Sequence, residues 1–248
     1  MNEQAEISFR KNFSEVVRLS KEKTTYEELK KKDPLLPRGW YEICQLALDV
    51  RVEFMQKYWL KTMPYHPRSH KVFTSFFDRL DDVDVFLLGE KKPPFFAQFV
   101  YSIKDKSSFF RGGIPLDMDQ IYALNAQFGG TLPKDYLSFF HIHNGFAKSF
   151  DTGLIRAQDI VNHYKKIQTE IADSFLSQTL SRDSLIPFYE CFGLHAYQCF
   201  FKDWHPGLSM GNIHFSSIEK SISRYSDPEA TLAFESFSEW LAFYLEEI

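Results

Sequence analysis

Apolar residues recur along this chain with two periods, and the switch between them marks out its elements. Over residues 40–60 the apolar positions Ile43, Ala47, Val50, Phe54 and Tyr58 stand three or four residues apart, which predicts one helix with a wide apolar stripe. Met63-Pro64 and His66-Pro67 stop it, because proline removes a helical donor. A shorter helix follows, with Val72, Phe73, Phe76, Phe77 and Leu80 on its inner face. The period then drops to two. Val83, Val85 and Leu87 alternate, and so do Phe95, Ala97, Phe99, Tyr101 and Ile103, with a turn over residues 89–94 between the runs. That pattern is a β-hairpin, with a second turn at residues 104–108. In "FFRGGIP", Gly112, Gly113 and Pro115 suit no regular element and predict a boundary.

Beyond the boundary the helical period returns. Asp117 can cap a helix carrying Ile121, Leu124, Asn125 and Phe128, which Gly129-Gly130 end. In "LPKDYLSFFHIHNGF", residues 132–146, Pro133 suits a first helical turn and Asp135 complements the positive helix start. Tyr136, Phe139, Phe140 and His143 share one face, and Asn144-Gly145 is a stop. Another helix is predicted at 157–176 on the stripe Ile160, Tyr164, Ile167 and Ile171. "SLIPFYE", "HAYQCFF" and "GNIHF" read as strands. The last helix, "SFSEWLAFYLEEI", opens on a capping box between Ser236 and Glu239, and Phe237, Trp240, Leu241, Tyr244, Leu245 and Ile248 form its buried face.

Residues 1–36 are polar and read as an N-terminal arm ended by Asp33-Pro34, with Lys30, Lys31 and Lys32 on a solvated face. Composition adds one feature: 26 of the 248 residues are Phe, so both core and contact surfaces are built from flat rings. The net charge is −4 and Lys/Arg are scattered, which excludes the basic footprint of a nucleic-acid binder. The N-terminus has no apolar signal region, and no stretch approaches the ~18 apolar residues of a membrane span. Cys44, Cys191 and Cys199 are few and odd in number, as reduced thiols in a cytoplasmic protein would be.

Candidate chemistry is thin. His141 and His143 lie two residues apart on a predicted helix, about 200° around its axis, and so cannot share a metal. Cys191, His195, Cys199 and His205 have zinc-like spacing, but a strand would hold His195 and Cys199 about 13 Å apart. "FDTGL" lacks the second carboxylate of an aspartic protease site, so Asp151 is expected in a turn, bonded to nearby backbone. Asp78, Asp81, Asp82 and Asp84 lack a calcium-loop spacing and are expected in a solvated turn. No phosphate loop, dinucleotide fingerprint, nucleophile elbow or C-x-x-C motif occurs, so neither metal nor cofactor is expected.

The order of elements resembles the SUKH superfamily, which includes fungal cell-wall-synthesis regulators and many bacterial immunity proteins. Phe128-Gly129, Leu132-Pro133, Tyr136, Asn144-Gly145, Ile186-Pro187-Phe188, Ser236-Phe237 and Trp240-Leu241 carry the likeness, over roughly residues 112–248. One departure is "YECFGLHAY", where a single Gly193 replaces the usual Gly-Gly. The resemblance implies an α+β domain with a curved, largely antiparallel sheet packed against several helices, and action by binding protein, often a toxin, rather than by catalysis. Residues 37–111 are expected to extend that domain with helices and a hairpin.

The expected function is therefore a non-enzymatic interaction module, an immunity-type inhibitor or a regulatory scaffold, meeting a protein partner with aromatic anchors and an acidic rim. Candidate contacts are Asn144, Phe146, Lys148, Phe150 and Asp151, and in "KDWHPG" Asp203, Trp204 and His205. The alternatives are a hydrolase pairing Cys191 or Cys199 with a histidine, which needs a thiol of depressed pKa, and a small-ligand receptor, which needs a pocket.

Overall fold

The computed structural model describes residues 3–90, 94–104, 108–223 and 232–246. The chain begins with α1 (Glu3–Asn12), β1 (Glu15–Arg18) and α2 (Tyr26–Lys32), which a Thr25–Glu28 capping box opens. Then come α3 (Arg38–Cys44), α4 (Leu48–Thr62), α5 (Pro67–Asp78), β2 (Leu80–Gly89), β3 (Phe96–Ile103) and β4 (Phe109–Gly112). Next are α6 (Met118–Gln127), α7 (Lys134–Phe139), β5 (Phe146–Lys148), β6 (Gly153–Leu154) and α8 (Ala157–Ala172). Last are β7 (Leu185–Glu190), β8 (Ala196–Phe201), β9 (Asn212–Ser216), β10 (Ser221–Ile222), β11 (Ala233–Phe234) and α9 (Phe237–Glu246). The expected turns at 89–94 and 104–108 lie partly, and Ile248 wholly, outside the described residues.

Strands β1 to β10 pair in chain order, antiparallel throughout, in one open sheet, and β11 joins it on β9. The class is α+β, as the resemblance implies. Because side chains alternate across a strand, each strand sends one set to each face. On one face Phe99 and Tyr101 of β3 and Phe110 of β4 meet Trp40, Trp59, Phe76 and Tyr244 from α3, α4, α5 and α9. Trp59 alone packs against seven other rings in this core, among them Phe73, Phe139 and Phe146. On the other face a small core of Phe86, Leu88, Val100 and Phe109 is covered by Ala5 and Phe9 of α1. Farther along the same face α8 packs on β7, with His163 against Tyr197 of β8.

Several expectations need correction. The stretch 40–60 is two helices, α3 and α4, broken at residues 45–47. The break shifts the helical phase, so Arg51, Met55 and Trp59 face inward while Val50, Phe54 and Tyr58 are exposed. Gly113 and Pro115 lie in a loop as expected, but Gly112 is the last residue of β4, where a Cβ would stand 2.3 Å from the His143 ring; the glycine makes room for that ring. The N-terminal residues do more than form an arm, since Leu19, Leu29 and Leu36 join the main core. Glu239 reaches the amide of Glu235 rather than that of Ser236, while Ser236 Oγ accepts from Glu239 N as expected.

The acidic turn is the largest correction. Asp82 and Asp84 are fully buried, not solvated. Arg18 of β1 donates to Asp82 at 2.7 Å and pairs with Asp84, and Arg51 of α4 lies 2.8 Å from Asp82. Ser20 N also donates to Asp84, at 3.2 Å. Two arginines from distant segments thus balance two carboxylates, which is how the interior tolerates them.

His143 is fully buried and sits at the core's centre. Trp59 Nε1 donates to Tyr101 Oη at 3.0 Å, and Tyr101 Oη lies 2.7 Å from His143 Nε2. His143 Nδ1 is 3.2 Å from Gly113 O, which fixes the proton on Nδ1 and leaves Nε2 to accept from Tyr101. Burial pulls the His143 pKa down to about 3, so the ring is neutral.

Candidate functional site

Antiparallel pairing in chain order brings every second connection to the same end of a sheet. Here the β5–β6, β7–β8 and β9–β10 turns share one end. All non-glycine residues with positive φ among the described residues fall on these turns: Ser149 (46°), Phe192 (46°), His195 (55°) and Lys220 (52°). A side chain in this region costs on the order of 1–2 kcal/mol, and such residues concentrate where a turn is held for a purpose.

The same turns expose large apolar side chains. Phe150 is 66 % accessible, Phe192 60 %, Leu194 59 % and Ile218 73 %. A structural turn would carry small polar residues at such positions. Hydrogen bonds join the turns into one rim: Phe192 N donates to Asp151 Oδ1 at 2.8 Å, and Ser217 N donates to His195 O at 2.9 Å.

Asp151 anchors the rim from behind and is 2 % exposed. Besides Phe192 N, its carboxylate accepts from Tyr244 Oη at 2.7 Å and Tyr189 Oη at 3.0 Å. Tyr244 Oη in turn accepts from Lys148 N at 2.9 Å. Burial, followed by the Asp151 charge, pushes the Tyr244 hydroxyl up, so it stays a donor to the carboxylate. Arg111 of β4 clamps the β5–β6 turn through its carbonyls, donating to Ser149 O and Asp151 O, each at 3.1 Å.

The structure distributes the sequence candidates between the two ends of the sheet. Phe150 and Asp151 are on the rim, one outward and one inward, and Lys148 lends its backbone amide. Asn144 caps α8 instead, accepting from Ala157 N at 2.8 Å, and Phe146 stacks on His143 in the core. Asp203, Trp204 and His205 lie at the far end of β8, about 20 Å from the rim for a six-residue strand. There Asp203 accepts from Ser184 Oγ at 2.9 Å, and the Trp204 ring lies over Gly211, where a Cβ would approach it to 2.3 Å. Of the remaining signature residues, Phe128, Leu132, Tyr136, Phe237 and Trp240 are core, and Pro133 is the N-cap of α7. Pro187 lies at an irregularity in the β7–β8 pairing, and Gly129 and Gly145 have positive φ.

Sequence reasoning missed Phe192, Leu194 and Ile218. Their signal was present, as apolar residues in "CFGLH" and "SSIEK", each of which follows directly on a predicted strand. For catalysis two of the three thiols are poorly placed. Burial raises the pKa of Cys44, with Asp84 adding to it, and burial alone raises that of Cys199. Cys191 is partly exposed at the start of the β7–β8 turn. Among the described residues no cluster of three His, Cys, Asp or Glu side chains could hold a metal, and no helix is long and apolar enough to cross a membrane.

Comparison with known proteins gives one match: the family model described as SMI1 / KNR4 family (SUKH-1) covers residues 115–242. No curated protein and no solved structure matches the chain.

Proposed function

The chain belongs to the SMI1 / KNR4 family (SUKH-1), and from that premise we propose that it is a non-enzymatic protein-binding module that docks its partner on the rim of turns. One observation carries this reading. Exposed apolar side chains stand on three linked turns whose backbone holds four non-glycine residues at positive φ. Rings held rigidly outward lose little entropy on contact, and aromatic anchors of this kind dominate protein interfaces. Asp151 faces inward, so apolar contact supplies the affinity in place of the acidic rim expected from sequence.

The role is to neutralise or to regulate that partner, as an immunity protein or a regulatory scaffold does. The hydrolase alternative pairs Cys191 or Cys199 with a histidine and needs a thiol of depressed pKa; burial shifts Cys199 the other way, which leaves the partly exposed Cys191 as its only nucleophile among the described residues. Affinity purification of tagged protein from its own cells tests the reading. The wild type should retain one stoichiometric partner, which the pair F192S/L194S loses and the pair W204A/H205A at the far end keeps. A toxin-like partner identifies immunity and an endogenous enzyme or scaffold identifies regulation. Retention by F192S/L194S, or no partner for the wild type, would refute the proposal.

A further inference from the structure

The face of the sheet that carries α1 and α8 is uncovered between them. Two cavities of about 260 and 310 Å³ open there, and both are lined by Gln98, Arg111 and Arg156, so they are lobes of one cleft. Gln98 of β3 and Arg111 of β4 form the floor. The first lobe is polar, with Asn144, Thr152, Asp159 and His163 on its walls. The second is aromatic, between Phe9 and Phe13 of the α1 end, Phe96 and Phe150.

The charges at the junction are unbalanced. Arg111 donates to backbone carbonyls, not to a carboxylate, because Asp151 turns its own carboxylate onto Tyr189 and Tyr244. Arg156 is exposed, and among the described residues no ion pair holds it. Asp159 is the one acid lining the polar lobe. Burial, and then the charge of Arg156, hold Arg111 below the usual guanidinium value, and the nearby Asp151 offsets only part of this. Two further polar groups face the cleft. Gln98 is 4 % exposed, and its amide nitrogen donates to the adjacent Ala97 O at 3.2 Å, which uses one of its two N–H groups. His163 Nδ1 is buried without a hydrogen-bond partner in the chain. A buried amide and imidazole in a native site are normally satisfied.

We infer that this cleft binds a small amphipathic anion, a carboxylate or phosphate group carried on an apolar body. The anionic oxygens lie between Arg111 and Arg156 and accept from the Gln98 amide, and the apolar body lies among Phe13, Phe96 and Phe150. Two arginines in a partly desolvated cleft favour an anion far more than the same pair would in water. The site shares Arg111, Ser149, Phe150 and Thr152 with the β5–β6 turn of the rim but takes nothing from the β7–β8 and β9–β10 turns, and it stands whether or not a protein docks there.

Calorimetric titration of the full chain with four probes tests it: 4-phenylbutyrate, 3-phenylpropyl phosphate, 4-phenylbutan-1-ol and inorganic phosphate. At least one of the two aryl anions should bind one to one, at least tenfold more tightly than both the alcohol and inorganic phosphate. The tighter of the two identifies the head group. Arg156→Gln, which disturbs no pairing in the fold, should weaken that binding at least fivefold with an unchanged thermal midpoint. The inference is overturned if neither aryl anion binds at millimolar concentration or if the alcohol or inorganic phosphate matches them. It is equally overturned if Arg156→Gln leaves the affinity as it was.

Discussion

His143 shows how far one residue's surroundings decide its chemistry. Its helical face could be read from the spacing of Tyr136, Phe139 and Phe140, but its partner Tyr101 is 42 residues away and no local pattern announces it. The consequence is a pH dependence. The folded-state pKa near 3 lies below the ordinary 6.5, so the unfolded chain binds the proton that the folded one refuses. This contribution is intact above pH 6.5 and is lost progressively as pH falls toward 3. Relative to His143→Gln, the wild type should lose stability by about 1.4 kcal/mol per pH unit across that window, measured by urea unfolding at a series of pH values. Parallel curves for the two proteins would contradict the buried neutral histidine. The cysteines give a simpler check at this scale. Iodoacetamide should modify Cys191 in the folded protein and spare Cys44 and Cys199 until it unfolds, with peptide mapping as the readout.

At the scale of elements, local rules predicted much and long-range balance defeated them. Caps on α6 and α9, the β2–β3 hairpin and the β7, β8 and β9 strands followed from spacing and from start and stop residues. The two-helix break at residues 45–47 did not, because Arg51 earns its inward position from Asp82 on another element. Nor did the buried carboxylates, whose partner Arg18 comes from a strand 64 residues earlier in the chain. The turns make their own prediction. Phe192→Gly removes a side chain from left-handed backbone, so stability should rise or hold within about 1 kcal/mol despite the more flexible unfolded chain. Partner binding should nonetheless be lost. Chemical denaturation beside a pull-down reads both, and a large loss of stability with binding retained would mean that Phe192 is structural.

At the scale of the whole molecule, one buried cluster runs from Leu19 to Leu245, and the sheet passes from β1 through β10 without interruption. The family match starts at residue 115, yet the strands before it continue the same sheet and supply Tyr101 to the Trp59 core. The N-terminal segment is tied in by its one buried arginine. Arg18→Ala should therefore cost about 3–5 kcal/mol, as expected when a buried ion pair loses one member, with denaturant unfolding as the measure. A cost below 1 kcal/mol would show that Asp82 and Asp84 are satisfied without Arg18.

The most direct test of the central claim places a photo-crosslinking amino acid at either end of the sheet, at Phe192 on the rim or at His205 on the β8–β9 loop, in the protein's own cells. The account predicts one discrete cross-linked partner from position 192 and none from position 205. A partner captured at 205 and not at 192 would contradict it.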